Sequence, residues 1–304
     1  MDFSNYKFRS HWVGNIISVP KPLTKDQRDT LDAYRLRSSG DGKPLTENQQ
    51  KTLIELEYKE LKSKEYGLTE GQKKLLNELY FYEKYNRRKD LDIKFFKKGL
   101  EVEKSARDLL SKITGLYLTH NPENKKNEWV TGVTDVLPAN GIIIDIKSAW
   151  SFESYSKILQ DSANEVYLRQ LDCYMELWQC NTSLLCHVLI DTPFQIVNDE
   201  IRRQAYKYNW TDFEGDIKKE FIRDVVDLVS NHIYSRESLE NFVHESVNLD
   251  IKWFDNFVEV PESERVHMIT HDFNPERIKQ RNECIKIARD YLNTVKPLNN
   301  IVKI

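Results

Sequence analysis

The stretch that most constrains this chain runs from Glu128 to Trp150: Glu-Trp-Val-Thr-Gly-Val-Thr-Asp-Val-Leu-Pro-Ala-Asn-Gly-Ile-Ile-Ile-Asp-Ile-Lys-Ser-Ala-Trp. Two β-rich runs, 129–137 and 141–147, flank Pro138-Ala139-Asn140-Gly141, whose turn-forming residues predict a β-hairpin. Side chains alternate faces along a strand, so Asp145 and Lys147 share one side and Ile144 and Ile146 the other. Asp135 is expected on the facing strand, near the level of Asp145. Two carboxylates and an amine thus gather at one end of an apolar segment, which is costly unless they pair or bind a cation. A plain Lys–Asp ion pair at a strand end is the alternative.

The rest of the composition narrows the setting. Charged residues make up 31% of the 304 positions and apolar ones 39%, which suits a charged globular protein of one large domain or two small ones. A net charge of −3 gives no global basic field, so any contact with nucleic acid must rest on local clusters of Lys and Arg. No apolar run approaches the ~20 residues that span a bilayer, and the N-terminal residues lack the apolar core of a signal peptide. A cytoplasmic location is the expectation. Cys173, Cys180, Cys186 and Cys284 form no Cys-x-x-Cys pair and are expected as reduced thiols, not as cluster ligands. His267 and His271 lie on a strand-like run that would separate them by ~13 Å, which predicts surface histidines and no metal pair.

Along the chain, residues 6–18 predict an amphipathic first helix. Leu23-Thr24-x-x-Gln27, Leu45-Thr46-x-x-Gln49 and Leu68-Thr69-x-x-Gln72 then repeat one pattern, in which Thr caps a helix and Gln bonds back to the cap. Three helices in a charged subdomain over 22–86 follow from it. A helix over 91–114 carries a stripe of Phe96, Gly99, Ala106, Leu110 and Ile113, with Glu103 inside it and Glu101, Lys104, Asp108 and Ser111 opposite. Arg87, Arg88, Lys89, Lys94, Lys97 and Lys98 form the densest basic run, in a place where phosphate contact is plausible. Downstream, Tyr167 to Trp178 reads as a helix with Gln170 and Tyr174 on one face, and Ser183–Asp191 as an apolar strand. A helix bearing Arg202, Arg203 and Lys207 follows, then a charged helical stretch over 214–247. Strands are expected at 253–259 and 264–271, and a last helix starts at Asn274-Pro275.

Glu103, Asp135, Asp145, Lys147 and Gln170 therefore occur in the order helix, strand, strand, helix. Carboxylates converging from different elements suit Mg²⁺, a hard cation that takes oxygen ligands. A bound Mg²⁺ activates water and neutralises charge on a phosphate, and a neighbouring lysine orients or deprotonates that water. The constellation fits phosphodiester hydrolysis.

Gly99-x-x-x-Glu103, Gly132-x-x-Asp135, Asp145-x-Lys147 and Gln170-x-x-x-Tyr174 resemble the motif series of the PD-(D/E)XK nuclease superfamily. Within it, the chain is most similar to the lambda exonuclease and YqaJ-type recombination nucleases, RecB-like members included, over roughly 91–191. The resemblance implies an α/β (α+β) fold: a restriction-endonuclease-like core with a central mixed sheet flanked by helices and an N-terminal helical insertion. The corresponding division is 1–21, an N-terminal segment of the core; 22–90, the insertion; and 91–304, the nuclease core. Asp135 and Asp145 would ligate the metal with the Ile146 carbonyl. Glu103 would bind a second ion or hold its waters, Lys147 would serve the nucleophilic water, and Gln170 would steady the lysine or the scissile strand. Arg9, Ser10, Arg87, Arg88, Lys98 and Tyr174 form the expected DNA-contacting set.

The implied activity is a Mg²⁺-dependent DNA exonuclease, with Mn²⁺ as a substitute, acting 5′→3′ on duplex ends and leaving single strands for an annealing partner. A structure-specific or restriction-like endonuclease is the alternative enzyme, and a non-catalytic DNA-binding module of the same fold the alternative outside enzymes. Thr134 stands where the family name has Pro. The segment 22–86 exceeds its counterpart in the compact phage enzymes and is a candidate partner-docking platform. A homo-oligomer is carried as an expectation, without the family's ring-shaped trimer.

Overall fold

The computed structural model describes residues 1–18, 22–63, 65–87, 94–136 and 141–296. In chain order the elements are Phe8–Arg9 (β1), Ser10–Val13 (α1), Lys25–Ser38 (α2), Glu47–Lys62 (α3), Glu70–Lys84 (α4), Lys94–Thr114 (α5), Lys125–Lys126 (β2) and Val130–Gly132 (β3). Ile142–Ser148 (β4), Phe152–Ile158 (α6), Glu165–Trp178 (α7), Thr182–Val188 (β5) and Phe194–Tyr208 (α8) follow. Ile222–Ser230 (α9), Arg236–Glu245 (α10), Val266–Asp272 (β6) and Pro275–Thr294 (α11) complete the chain. Among the described residues no helix is long and apolar enough to cross a membrane.

Contacts divide the chain into two compact units: Met1–Arg88 with Asn127–Val130 and Asn274–Ile304, and Lys89–Lys126 with Thr131–Phe273. This division groups α11 with the N-terminal helices, whereas the sequence division placed it with the segment 91–304. The boundary expected at 90 lies outside the described residues.

In the first unit the repeated Leu-Thr-x-x-Gln pattern forms three complete capping boxes. Thr24, Thr46 and Thr69 each accept from the backbone N–H of the Gln three residues on, and that Gln side chain accepts from the cap N–H. Each box satisfies two N–H groups that a helix start leaves without partners. Leu23, Leu31, Leu53 and Leu56 close a small apolar cluster between α2 and α3. The expected helix over 6–18 is reduced to β1 and the four-residue α1, because Phe8 extends and its N–H donates to Trp129 O at 3.0 Å. On α11, Asn274 caps the first turn, and Ile278, Ile285, Ala288 and Leu292 are buried as the spacing predicted.

In the second unit β4, β5 and β6 form a mixed sheet, with β4 parallel and β6 antiparallel to the central β5. Helices α6 and α7 make the crossover that a parallel pair requires. Ile143 and Leu185 pack under α7 with Leu171, Tyr174 and Met175. Ile144, Cys186 and Val188 pack on the other face with Ala106, Leu109 and Leu110 of α5. Among the described residues the expected hairpin ladder is not found: β4 is covered on both faces, the signature of a parallel strand, and its ladder partner is β5. Residues 137–140, the proposed turn, lie outside the described residues. The strand expected at 253–259 is also corrected. Trp253, Phe254 and Phe257 instead pack onto a cluster formed by α8, α9 and α10, through a 3-10 turn at Ile251–Phe254.

Candidate active site

Strand β4 fixes the two groups at the centre of the site. Ile143, Asp145 and Lys147 alternate with Ile144 and Ile146, so the acid and the amine rise on the α7 side of the sheet. Asp145 is fully buried. Its Oδ2 lies 2.7 Å from Lys147 Nζ as an ion pair, and its Oδ1 accepts from Gln170 Nε2 at 3.3 Å. The same Gln170 amide donates to Tyr174 Oη at 2.8 Å, one helical turn on. The pairing of Asp145 with Lys147 and of Gln170 with Tyr174 agrees with the sequence spacing.

Asp135 arrives by a different route. It lies in the bend after β3, where Thr134 is buried and bonded on both sides: Asn121 Nδ2 donates to Thr134 Oγ1 at 2.8 Å, and Thr134 Oγ1 donates to Val136 O at 2.7 Å. That clamp turns Asp135 toward β4, whose Ile146 N–H donates to Asp135 Oδ2 at 2.7 Å. Thr134→Val would strand the Asn121 amide and the Val136 carbonyl. The expected result is a loss of about 1–3 kcal/mol in unfolding free energy, read by denaturant titration; an unchanged midpoint would remove the clamp from the account.

Burial raises the pKa of Asp135, and the neighbouring charge of Asp145 raises it further, against the pull of Lys147 and the Ile146 N–H. Asp135 is thus reluctant to ionise beside Asp145. For Lys147, burial disfavours the ammonium, but Asp145 and Asp135 outweigh it and hold the amine protonated above its ordinary range. Burial, with the charge of Asp145, raises the Tyr174 hydroxyl pKa, which keeps it neutral. Cys186, across the sheet, is pushed up to about 12 by burial and then by Asp145.

Glu103 departs from expectation. The buried stripe of α5 is Lys98, Val102, Ala106, Leu109 and Leu110, rotated from the predicted one, and Phe96 and Ile113 are exposed. Glu103 sits at the stripe edge, where Arg107 Nη1 and His120 Nδ1 approach its Oε1 at 3.3 and 3.4 Å. Its charge still contributes to raising Asp135. Two acids therefore converge with Lys147 while Glu103 is engaged by Arg107 and His120, and among the described residues no three His, Cys, Asp or Glu side chains are grouped to hold a metal ion.

The DNA-contacting expectations fare unevenly. Arg9 and Arg87 are exposed in the first unit, Ser10 is buried at the start of α1, and Arg88 lies outside the described residues. Tyr174 is 4% exposed. Lys98 requires a correction: it is 1% exposed, and its Nζ donates to Trp150 O at 2.9 Å over the ring of Tyr234. The apolar stripe of α5 carries it inward, away from any phosphate at the surface. His271 is corrected as well, since its Nε2 pairs with the buried Asp172 at 2.9 Å instead of standing free on the surface.

Sequence reasoning missed the groove beside Lys147. A cavity of about 680 Å³ opens there, lined by Lys147, Trp150, Asn164, Tyr167 and His187 among others. The Tyr167 ring centroid is 5.1 Å from Lys147 Nζ. The signal that could have found His187 is its parity with Leu185 on an otherwise apolar strand.

A crystal structure of a phage related exonuclease from Haemophilus somnus 129PT superposes with a TM-score of 0.55 at 18% identity, covering 95% of this chain and 94% of that one. The chain has the fold of that exonuclease. Its core is the restriction-endonuclease-like α/β arrangement, as the motif order implied. An alkaline exonuclease from Laribacter hongkongensis aligns over 95% of this chain and 89% of its own, at 9% identity and a TM-score of 0.48. No family model and no curated protein matches the sequence.

Proposed function

We propose that this chain is a metal-dependent DNA exonuclease. The observation that carries the reading is the meeting of Asp135, Asp145 and Lys147 at β4, with Gln170 bracing Asp145, on a fold shared with a phage related exonuclease. The donor chemistry fits a hard cation. Two carboxylates are an ordinary Mg²⁺ set, because that ion keeps several waters. Asp135 and Asp145 would hold it, with the Ile146 carbonyl and Glu103 as the further ligands that the motif resemblance suggests. When bound, Mg²⁺ or Mn²⁺ would lower the pKa of a coordinated water and neutralise charge on the phosphate.

The chain's own groups take the remaining work. Lys147, whose Nζ lies 2.7 Å from Asp145, is placed to orient the attacking water or to meet charge on the phosphate. Gln170 fixes the rotamer of Asp145 from the helix side, and Tyr174 fixes Gln170. Duplex ends as substrate, 5′→3′ polarity, a role in phage-type recombination and a single-strand annealing partner extend the reading by motif resemblance. The test is purified protein with end-labelled linear duplex, with and without Mg²⁺, beside a closed circular duplex. Progressive shortening of the linear form alone is the expected result. Cutting of the circle would replace the exonuclease with the endonuclease, and inertness toward both with Mg²⁺ or Mn²⁺ would remove the enzyme.

A further inference from the structure

The groove beside Lys147 holds a second polar side chain that the mechanism above leaves unused. His187 on β5 stands opposite Lys147 of β4 in the parallel register. Register partners on neighbouring strands lie about 4.8 Å apart and project from the same face. Leu185, two residues before His187, packs under α7, which places the imidazole on the same side as Lys147. The ring is 5% exposed and its centroid stands 6.3 Å from that of Tyr167, the same ring that the Lys147 ammonium overlies. Its Nδ1 is buried and finds no hydrogen-bond partner among the described residues. A buried nitrogen in that condition costs about 1–3 kcal/mol, a cost that a leucine at the same strand position would not incur.

Lys147 supplies the complementary deficiency. Its ammonium has three protons to place, and its ion-pair partner is Asp145 Oδ2. On the function proposed above, on which this inference rests, Asp145 turns its charge to a cation, and the ammonium loses most of that attraction. We propose that His187 is a positioning residue for Lys147: with Asp145 so engaged, its Nδ1 accepts a hydrogen bond from the Lys147 ammonium and holds the amine at the groove. A neutral imidazole suits this role where a second cation would not. Burial, then His267 of β6 and Lys147 of β4, push His187 down to about 4, against the pull of Asp145. An acceptor at Nδ1 requires the ring proton on Nε2.

Two measurements test the assignment. Ring-nitrogen NMR of the wild-type protein at neutral pH should show the Nε2–H tautomer, with an Nδ1 signal that moves on adding Mg²⁺ and stays still in Lys147→Met. An Nδ1–H tautomer or an imidazolium overturns the proposal. In DNA cleavage, His187→Leu should lower kcat about tenfold with KM unchanged. His187→Asn, whose Oδ1 can occupy the place of Nδ1, should recover most of the rate, whereas His187→Gln, which mimics Nε2, should not. Equal rates for the Leu variant and the wild type, or equal loss in Leu and Asn, overturn the proposal while leaving the nuclease reading intact. A wild-type protein that cuts no DNA removes that reading instead, and the movement of the Nδ1 signal on adding Mg²⁺, compared with Lys147→Met, still decides the role of His187.

Discussion

Asp145→Ala is expected to reduce DNA cleavage by on the order of 10³-fold or more while leaving DNA binding within a few-fold of wild type. The side chain is fully buried and joins both polar partners of the site, the Lys147 ammonium and the Gln170 amide. Its loss removes one of two acids for a cation and frees the amine from its place. Lys147→Ala should cost a comparable factor by removing the positive donor while both acids remain. Single-turnover cleavage in Mg²⁺, with binding followed separately by gel shift, reads both effects. Retention of activity within tenfold in either variant would sink the assignment of the site. A parallel loss of binding and cleavage would mean that the substitution had disturbed a surface and not the chemistry.

Lys98→Met is expected to stabilise the second unit at neutral pH by about 2–4 kcal/mol. Burial lowers the Lys98 pKa from 10.5 to about 7, with only Asp191 opposing it. A lysine depressed in the folded state binds its proton less readily there than in the unfolded chain. The unfolded state therefore takes up more protons between about 7 and 10.5, and stability rises with pH across that window. Below about 7 the cost of the buried ammonium is complete, about 4–5 kcal/mol for a depression of that size. Methionine fills similar volume without charge and forfeits the hydrogen bond to Trp150 O, the contact with the Tyr234 ring and the attraction of Asp191. Denaturant titrations at pH 7 and pH 10 should show the gap between wild type and variant narrowing as pH rises. A gap that stays constant or widens contradicts the account.

The elements legible in the sequence are those whose signals are local. Thr24, Thr46 and Thr69 cap three helices because a capping box needs only four consecutive residues. Asp145 and Lys147 share a face because strand alternation is a property of one segment, and Gln170 reaches Tyr174 because both ride one helix. The misreadings come from long-range pairing. Ile142–Ser148 reads as half of a hairpin until β5, brought alongside by a two-helix crossover, takes the ladder. The stripe of α5 departs from the spacing because the helix buries Lys98 and Val102 and leaves Phe96 and Ile113 exposed, a choice made by the elements packed against it. His187 escaped notice because its importance lies in its register with Lys147, a relation between strands that no single stretch of sequence displays.

The discontinuous make-up of the first unit bears on the order in which the protein is made. Arg289 of α11 donates to the carbonyls of Tyr6 and Glu128, at 2.9 and 2.6 Å, and Asn293 accepts from the Phe3 N–H at 2.8 Å. Arg289 and Asn293 leave the ribosome long after Phe3, Tyr6 and Glu128, the residues they hold. The sheet that carries Asp145 and Lys147 has all its strands once Asp272 has been translated. A nascent chain halted just beyond that point would have the strands of this sheet while the segment around Phe3 and Tyr6 still waited for its clasp, and would leave that segment open to proteases and chaperones until α11 arrived.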